Sequence, residues 1–452
     1  MKSPLRMAKE QDLQTIGLST VADDLLKPRL LTQLGRLRGS MRSLAVMLDT
    51  CVKCGNCVEQ CHSYLGTGDP LNAPPARADL MRKLYRRHFT LPGKLFGRLA
   101  GAKDLDSEML DNWLTYFYQC NECRRCAVFC PFGIDTAEVT IAGRHLLSEL
   151  GIVPRFMQQV ALNLQKTGNN MGIPAPALLD CVEFIESEIE EETGVAVKIP
   201  VDRPDSEILY IPSSADFFTN VDTIVGAAKM FHMLGVRWTV ASAMLEAANF
   251  GFLFHLSAMQ DHSLRMRRAA EQLGASLVVQ GECGHGWRAA RMVTEAASGP
   301  VPFELTHILD FTARHLERLS LRKLPLRVAL HDPCNYVRAG DLVEQPRRIL
   351  RACVEHLVEL QPNREETFCC GGGSGILMEE MMEIRMKLGK KKAEQIQAAG
   401  RIDYLAAPCS ICKAQLPHVM NHYAVPEVAI GGIMDLVGKA IDLTSSTGGS
   451  GA

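Results

Sequence analysis

The sequence predicts an α+β multidomain protein, in which a mainly helical, cysteine-rich module is followed by two duplicated α/β units. Three observations predict this class. Eight of the 16 cysteines fall in two compact runs before residue 131, on either side of a segment with helical spacing. From about residue 205, short β-branched runs alternate with amphipathic segments, which is typical of a parallel sheet covered by helices. The same order of elements then occurs a second time.

The composition favours a cytoplasmic chain with sizeable hydrophobic cores. With 452 residues, 47% of them apolar, the chain is long enough for two or three domains. The 49 basic and 51 acidic residues give a formal charge of -2, which predicts no nucleic-acid partner and no lipid surface. The opening residues lack the apolar core of a secretory signal, and no apolar run approaches the roughly 18 residues that span a bilayer. We therefore expect reduced thiols.

The helical module is predicted from "CVKCGNCVEQC" and "CNECRRCAVFCP", which share the spacing C-x2-C-x2-C-x3-C. In bacterial ferredoxins the first three thiolates of such a run hold one cubane 4Fe-4S cluster, and the fourth ligates the other cluster. The predicted ligand sets are Cys51, Cys54, Cys57 and Cys130 for one cluster, and Cys120, Cys123, Cys126 and Cys61 for the other. Structural zinc is the alternative, but zinc sites normally use two separated C-x2-C pairs. Since eight cysteines fill both clusters, His62 and His145 are interpreted as ordinary polar residues.

A basic cluster lies on the predicted helix between the two runs. Its members are Arg82, Lys83, Arg86, Arg87 and His88. A solvated helix face is the favoured interpretation. Docking of an acidic partner is the alternative.

The two α/β units are predicted from matching stretches. In the first, "EILYIPSS", "VRWTVASA" and "SLVVQGECGHGW" are strands, and "NVDTIVGAAKMFHMLG" is a helix with Val221, Val225, Ala228 and Phe231 on one face. In the second, "RVALHDPCNYV" opens the unit and "ETFCCGGGS" takes the position of "RWTVASAML". The predicted segments are a helical extension (1–45), a ferredoxin-like domain (46–150), a helical linker (151–204), a degenerate unit (205–320), an intact unit (325–440) and a flexible tail (441–452).

Five thiols of the second α/β unit are predicted to meet at the carboxyl ends of its strands, where open α/β sheets bind ligands. They are Cys334, Cys369, Cys370, Cys409 and Cys412. The matching turns of the first unit carry Ser213, Ser214, Ala241 and Ser242, with Cys283 as its single thiol. The second unit is therefore expected to bind metal and the first is not. Cys181 and Cys353 lie in apolar helical patterns and are interpreted as packed small hydrophobes.

The spacing C-x34-C-C-x38-C-x2-C, with three glycines after the pair, resembles the CCG domain of heterodisulfide reductase. More narrowly, "LDTCVKCGNCVEQCHSYLGTGDP", "YQCNECRRCAVFCPFGIDTAE", "FCCGGGSG" and "PCSICKAQLPHV" are similar to the DsrK iron-sulfur subunits of DsrMKJOP-type membrane complexes. The resemblance covers most of residues 45–425. It implies a third, non-cubane 4Fe-4S cluster on the five thiols.

The resemblance also implies an oxidoreductase that reduces, or reversibly oxidises, a disulfide or trisulfide carried by a small DsrC-like protein in dissimilatory sulfur metabolism. A membrane cytochrome b subunit and other subunits of the complex would be its partners. The chain would then be cytoplasmic and held at the inner face of the membrane by those subunits. The alternative function is an electron-transfer subunit of a flavin-dependent 2-hydroxy-acid or glycerol-3-phosphate dehydrogenase.

Several residues near the five thiols are candidates for further roles. His331 and Asp332 in "HDPC" could position protons or be structural, and Lys413 could offset thiolate charge. Cys283 is a candidate extra ligand, a substrate-facing thiol or a relic. Glu282 and His285 align approximately with Cys409 and Cys412, and are expected to line the same cleft.

Overall fold

The structure, a computed structural model, describes residues 3–444, so most of the predicted flexible tail lies outside the described residues. The chain forms two compact units. Of the described residues, the first comprises 3–162, 250–258 and 368–393, and the second comprises 163–249, 259–367 and 394–444. Segment 368–393, which carries Cys369 and Cys370, thus belongs to the first unit, whereas the sequence placed it in the second α/β unit.

Helices dominate residues 3–444, and each strand in that range belongs to one of two short parallel sheets. The helices are α1 (Glu10–Gln14), α2 (Asp23–Ser40), α3 (Arg42–Thr50), α4 (His62–Thr67), α5 (Pro74–Phe89), α6 (Leu91–Phe96), α7 (Ser107–Tyr118), α8 (Arg125–Val128), α9 (Thr136–Ser148), α10 (Arg155–Thr167), α11 (Ala175–Thr193), α12 (Ala215–Phe218), α13 (Val221–Leu234), α14 (Leu256–Leu273), α15 (Gly284–Ser298), α16 (Ile308–Arg314), α17 (Cys334–Ala339), α18 (Gln345–Cys353), α19 (Met382–Ala398), α20 (Ser410–His422) and α21 (Ile433–Ala440). The strands are β1 (Ile208–Ile211), β2 (Trp238–Thr239), β3 (Leu277–Gln280), β4 (Glu304–His307), β5 (Leu324–Leu330), β6 (Val354–Glu359), β7 (Tyr404–Ala406) and β8 (Ala429–Gly431).

The first unit is built on helices α5, α7 and α9, which pack against one another. Trp113 and Phe117 of α7 are fully buried and meet edge to face, with ring centroids 5.4 Å apart. A side chain on Gly143 of α9 would collide with the Phe117 ring, so the glycine permits this close approach. Burying these aromatic rings contributes to the stability of the helical core.

The interpretation of the basic cluster on α5 as a solvated or docking surface is wrong for Arg82. Its side chain is only 1% exposed. It donates a hydrogen bond to Leu48 O at 2.6 Å and pairs with Asp79. A buried guanidinium needs such partners, because leaving a charge unpaired away from water is costly. Arg82 therefore ties α5 to the end of α3.

The second unit contains two four-stranded parallel sheets with the same strand order. One sheet runs β2-β1-β3-β4 and the other runs β6-β5-β7-β8. In both, the first strand in the chain lies at the centre and pairs with the next two strands. The α+β class with two duplicated α/β units is therefore confirmed.

One large core serves both sheets of the second unit. It takes buried residues from the helices α11, α13, α16, α18 and α21 and from the strands of the two sheets. Phe231 of α13, predicted to face inward, is fully buried, and its ring lies 4.7 Å from that of Trp238. Cys353 is fully buried in this core and half-buried Cys181 packs against it.

The strand predicted to lead directly into Cys369 and Cys370 is absent. Strand β6 ends at Glu359, and residues 367–378 form turns and loop. The loop needs its glycines, since Gly371 has φ +86° and a Cβ there would lie 2.6 Å from Gly389 N. No helix within residues 3–444 combines the length and apolar character needed to cross a membrane.

Candidate functional site

The cysteines of the first run lie in the loop that follows α3. Together with Cys126, the thiols predicted for one cluster line a single cavity, which Phe132 and Ile134 also line. Those predicted thiols are Cys51, Cys54, Cys57 and Cys130. Burial, followed by the neighbouring thiols Cys130, Cys51 and Cys54, raises the pKa of the Cys57 thiol to about 11. The four thiols predicted for this cluster, three from the first run and one from the second, thus lie close together.

The thiols of the other predicted set surround Cys126. Burial raises the pKa of the Cys126 thiol well above its usual value, and Asp135 and three neighbouring thiols add to the effect. Those thiols are Cys123, Cys61 and Cys120. Buried Arg77 lies beside the same group, and the thiolates raise the pKa of its guanidinium although burial opposes this. The sequence did not indicate a role for Arg77, because basic residues are common on the exposed faces of helices.

The donors of both sets fit iron-sulfur clusters. Soft thiolates select iron-sulfur clusters, zinc or copper(I), and the crossed four-thiol sets match the ferredoxin arrangement. Mutual repulsion and burial disfavour several adjacent thiolates, as the raised pKa values of Cys57 and Cys126 show. A cationic metal centre removes that penalty, because it stabilises the deprotonated ligands.

The loop carrying Cys369 and Cys370 lies against the second cysteine run. Both thiols are buried. The Asn121 amide donates to Gly371 O and Gly373 O, each at 3.1 Å. His62, Cys123 and Cys369 each offer a ring nitrogen or sulfur within 4.8 Å of the other two. The structure thus places His62 beside two predicted ligands, a contact that the sequence did not predict.

His62 has a specific environment among these groups. Its Nε2 lies 2.7 Å from Asn121 Oδ1 and its Nδ1 lies 3.7 Å from Cys123 Sγ. Burial lowers the pKa of the imidazole, but the Cys123 and Cys61 thiolates and the hydrogen bonds outweigh it and raise that pKa to about 9.

In the second unit, Cys409, Cys412 and Cys283 come together at the carboxyl ends of the strands. Cys409 precedes α20 and Cys412 lies in its first turn, so both thiols are near a helix N-terminus. A hydrogen bond from the Cys283 thiol, followed by one from Cys412, lowers the pKa of Cys409 well below its usual value. Gly284 N also donates to Cys409 Sγ, at 3.4 Å. The structure thus brings the single thiol of the degenerate unit to the predicted ligands.

His331 contacts the same group. It follows strand β5, as predicted, and its Nε2 lies 3.2 Å from Cys412 Sγ. The ring is fully buried. Asp332 instead accepts two hydrogen bonds from Arg347, at 2.9 and 2.8 Å, and this pair is buried. The structural interpretation therefore fits Asp332, whereas His331 lies within hydrogen-bonding distance of the Cys412 thiol.

Two remaining candidates, Cys334 and His285, lie at helix starts near the predicted site. Cys334 begins α17 and is partly buried. His285 lies 2.8 Å from Asn249 O. Cys369 and Cys370 belong to the first compact unit and Cys334, Cys409 and Cys412 to the second, so the five-thiol site stays a prediction.

Carboxylates occupy turns of the degenerate unit where the intact unit has thiols, and Lys413 of the intact unit contacts two of them. Lys413 Nζ lies 2.7 Å from Thr223 Oγ1, 3.3 Å from Asp216 and 3.5 Å from Glu282. Lys413 is thus committed to buried carboxylates rather than to a thiolate. Burial raises the pKa of Asp216 to about 6 and that of Glu282 to about 7, against the lysine charge.

Comparisons with known proteins identify the domains that carry these thiols. Residues 47–134 match the 4Fe-4S dicluster domain, and residues 328–417 match the cysteine-rich domain, CCG. The chain is 33% identical to an Hdr-like menaquinol oxidoreductase iron-sulfur subunit of Archaeoglobus profundus, covering 89% of this chain and 81% of that protein. It is 23% identical to a subunit of the dihydromethanophenazine:CoB–CoM heterodisulfide reductase of Methanosarcina barkeri, covering 88% of this chain and 95% of that protein. It is 24% identical to an EtfAB:quinone oxidoreductase of Syntrophomonas wolfei, covering 73% of this chain and 48% of that protein.

The fold and the thiol groups define an iron-sulfur oxidoreductase subunit that joins a 4Fe-4S dicluster domain to a CCG domain. More particularly, the chain belongs to the family of Hdr-like menaquinol oxidoreductase iron-sulfur subunits. It is an electron-transfer subunit of that type.

Proposed function

We propose that this chain passes electrons through two cubane 4Fe-4S clusters to a non-cubane 4Fe-4S centre, where a sulfur–sulfur bond is reduced or formed. The cubanes would take the crossed cysteine sets of the first unit. The third centre would take the five thiols that match the CCG pattern. They are Cys334, Cys369, Cys370, Cys409 and Cys412. Residues 328–417, which match the CCG family, contain all five.

The observation that carries this proposal is the contact between His331 and Cys412, 3.2 Å apart and buried. Reducing a disulfide consumes two electrons and two protons and yields two thiols. A simple relay needs no proton donor beside a ligand sulfur, whereas sulfur chemistry does. His331 would give a proton to the departing sulfur, and the Cys283 thiol, which is hydrogen-bonded to Cys409, would supply the second. We therefore assign His331 and Cys283 to the catalytic group.

The electron source follows from the relatives. The name of the Archaeoglobus relative contains menaquinol, and that of the Methanosarcina relative contains a heterodisulfide. We infer a membrane partner of the cytochrome b type that exchanges electrons with a quinol. The chain would then lie on the cytoplasmic face of the membrane, attached through its partner subunits.

The narrower identity that we propose is a DsrK-type subunit of a DsrMKJOP-like complex. Its substrate would be a disulfide or trisulfide on a small DsrC-like carrier protein. The support is the motif strings around the cysteines, which match that group along most of residues 45–425.

Cys370→Ser tests the proposal. The variant should lose reduction of a trisulfide on a DsrC-like protein, assayed as thiol release with reduced methyl viologen as the electron donor. The cubanes should still reduce, because the ligands proposed for them all lie within residues 51–130. A hydroxyl is a harder and weaker ligand for iron than a thiolate. Cys181→Ser is the matched control, since Cys181 is half-buried and donates to Phe217 O.

Full activity in Cys370→Ser would make the third centre a relay. The function would then be that of an electron-transfer subunit for a flavin-dependent 2-hydroxy-acid or glycerol-3-phosphate dehydrogenase. The similarity to the Syntrophomonas EtfAB:quinone oxidoreductase is the one observation in favour of a flavoprotein partner.

A further inference from the structure

We propose that Asn121 fixes the Cys369–Cys370 loop on the second cysteine run, and that His62 completes the route by which electrons cross between them. The electron-transfer part rests on the proposed function. The anchoring part stands on the hydrogen bonds alone.

The orientation of the Asn121 amide is fixed by its surroundings. Its Nδ2 faces two backbone carbonyls, Gly371 O and Gly373 O, and a carbonyl only accepts. Its Oδ1 must therefore face His62 Nε2, 2.7 Å away, and that nitrogen carries the proton. Asn121 lies between Cys120 and Cys123 in the chain, so one amide holds both the imidazole and the loop.

The loop is shaped for this anchor. A Cβ on Gly373 would lie 3.2 Å from Asn121 O, so a larger residue would push the loop from the cysteine run. Arg144 of α9 makes a second attachment, since it donates to Cys120 O at 2.9 Å and to Ser374 O at 2.7 Å. Asn121 and Arg144 are both buried, which makes their hydrogen bonds costly to break.

His62 lies close to both sulfurs, at the point where the loop and the second cysteine run approach each other. Its ring nitrogen, Cys123 Sγ and Cys369 Sγ all lie within 4.8 Å of one another. Electron tunnelling weakens steeply with distance, so the closest ligand-to-ligand approach dominates the rate. With both clusters bound, the cubane on the Cys123 side would give up one electron at a time to the centre on the Cys369 side. No bond forms or breaks in this step.

The test compares Asn121→Asp with Asn112→Asp, the same change on half-buried Asn112 of α7. Asn121→Asp keeps an oxygen for His62 but loses both donors to the loop. We expect hydrogen–deuterium exchange of residues 368–375 to accelerate by about tenfold, the factor expected for the loss of ordinary buried hydrogen bonds. Electron arrival at the third centre, followed by freeze-quench EPR after photoreduction with deazaflavin, should slow by about 10- to 100-fold.

Two further variants keep the test decisive. Gly373→Ala disturbs the anchor from the loop side. If Asn121→Asp loses its cubane, the exchange and electron-arrival rates of Gly373→Ala test the anchor instead. His62→Gln should slow electron arrival and move the midpoint potential of the cubane on the Cys123 side, because contacts to ligand sulfurs tune that potential. Its control is His88→Gln, since His88 pairs with Asp104 instead.

The proposal is overturned if these variants match their controls in exchange, potential and rate while iron content is intact. Absence of cubane EPR signals from the unaltered protein would instead overturn the proposed function. In that case the exchange measurement still decides whether Asn121 anchors the loop.

Discussion

Single buried side chains decide the electrostatics of the second unit. Glu246 is fully buried, and it accepts hydrogen bonds from Ser214 Oγ at 2.7 Å and Ala248 N at 2.9 Å. Burial raises the pKa of the Glu246 carboxyl to about 7, although those hydrogen bonds oppose the change. Between these two pKa values the folded protein therefore keeps a proton on Glu246, whereas an unfolded glutamate, with a pKa of 4.5, has already released it.

Glu246→Gln should flatten the dependence of stability on pH. Because the folded pKa is the higher one, the stabilisation is fully present below pH 4.5 and is lost as pH rises through about 7. The glutamine variant should lose less stability between pH 5 and pH 8, by at most about 3 kcal/mol. The measurement is urea-induced unfolding followed by the fluorescence of Trp238 and Trp287. An unchanged pH profile would show that Glu246 titrates normally in the folded protein.

At the scale of the secondary-structure elements, the packing of α13 on α21 depends on a contact between two glycines. A Cβ on Gly438 would lie 2.7 Å from the Gly226 Cα, and one on Gly226 would collide with Met434 O. The two helices belong to different halves of the duplication. Their backbones thus approach closely at these two glycines. A larger residue at either glycine would force the two helices apart.

Gly226→Ala should lower the melting temperature of the second unit. Overpacking at a backbone contact costs about 1 to 3 kcal/mol. The control is Gly39→Ala in α2, where a Cβ meets nothing within 4 Å. Alanine there should be neutral or should stabilise by about 0.5 to 1 kcal/mol, because it restricts the unfolded chain. Equal melting temperatures for the two variants would show that α13 and α21 can separate without cost.

Periodicity predicted the elements of this protein well, because it reports which face of a helix or strand is buried. Helix α13 has the predicted inward residues, and strands β1, β3 and β5 lie where the β-branched runs are. Long-range contacts have no such local pattern. The attachment of segment 368–393 to the first unit, the pairing of Arg82 with Leu48 O and the place of His62 all depend on residues distant in sequence. The cysteine spacing was informative because metal geometry fixes it.

At the scale of the whole molecule, the duplication raises the question of how many clusters one chain holds. Both sheets of the second unit have the same strand order. The turns of the first sheet nevertheless hold Ser214, Asp216 and Glu246, with Lys413 beside them, and these groups already satisfy one another. Hard oxygen donors paired with a lysine are poor ligands for an iron-sulfur cluster. Cys283, the one thiol of that half, is hydrogen-bonded to Cys409 of the other half.

We therefore expect about twelve irons and as much acid-labile sulfide per chain, from three clusters of four. Anaerobic iron and sulfide analysis of the purified protein measures this directly. About eight would remove the third centre, and about sixteen would give the degenerate unit a cluster of its own. Cys283→Ser separates the remaining roles of that thiol. If Cys283 only hydrogen-bonds to Cys409, the variant keeps all its iron while its sulfur–sulfur turnover falls. If Cys283 is an extra ligand, the variant loses the iron of the third centre and keeps about eight.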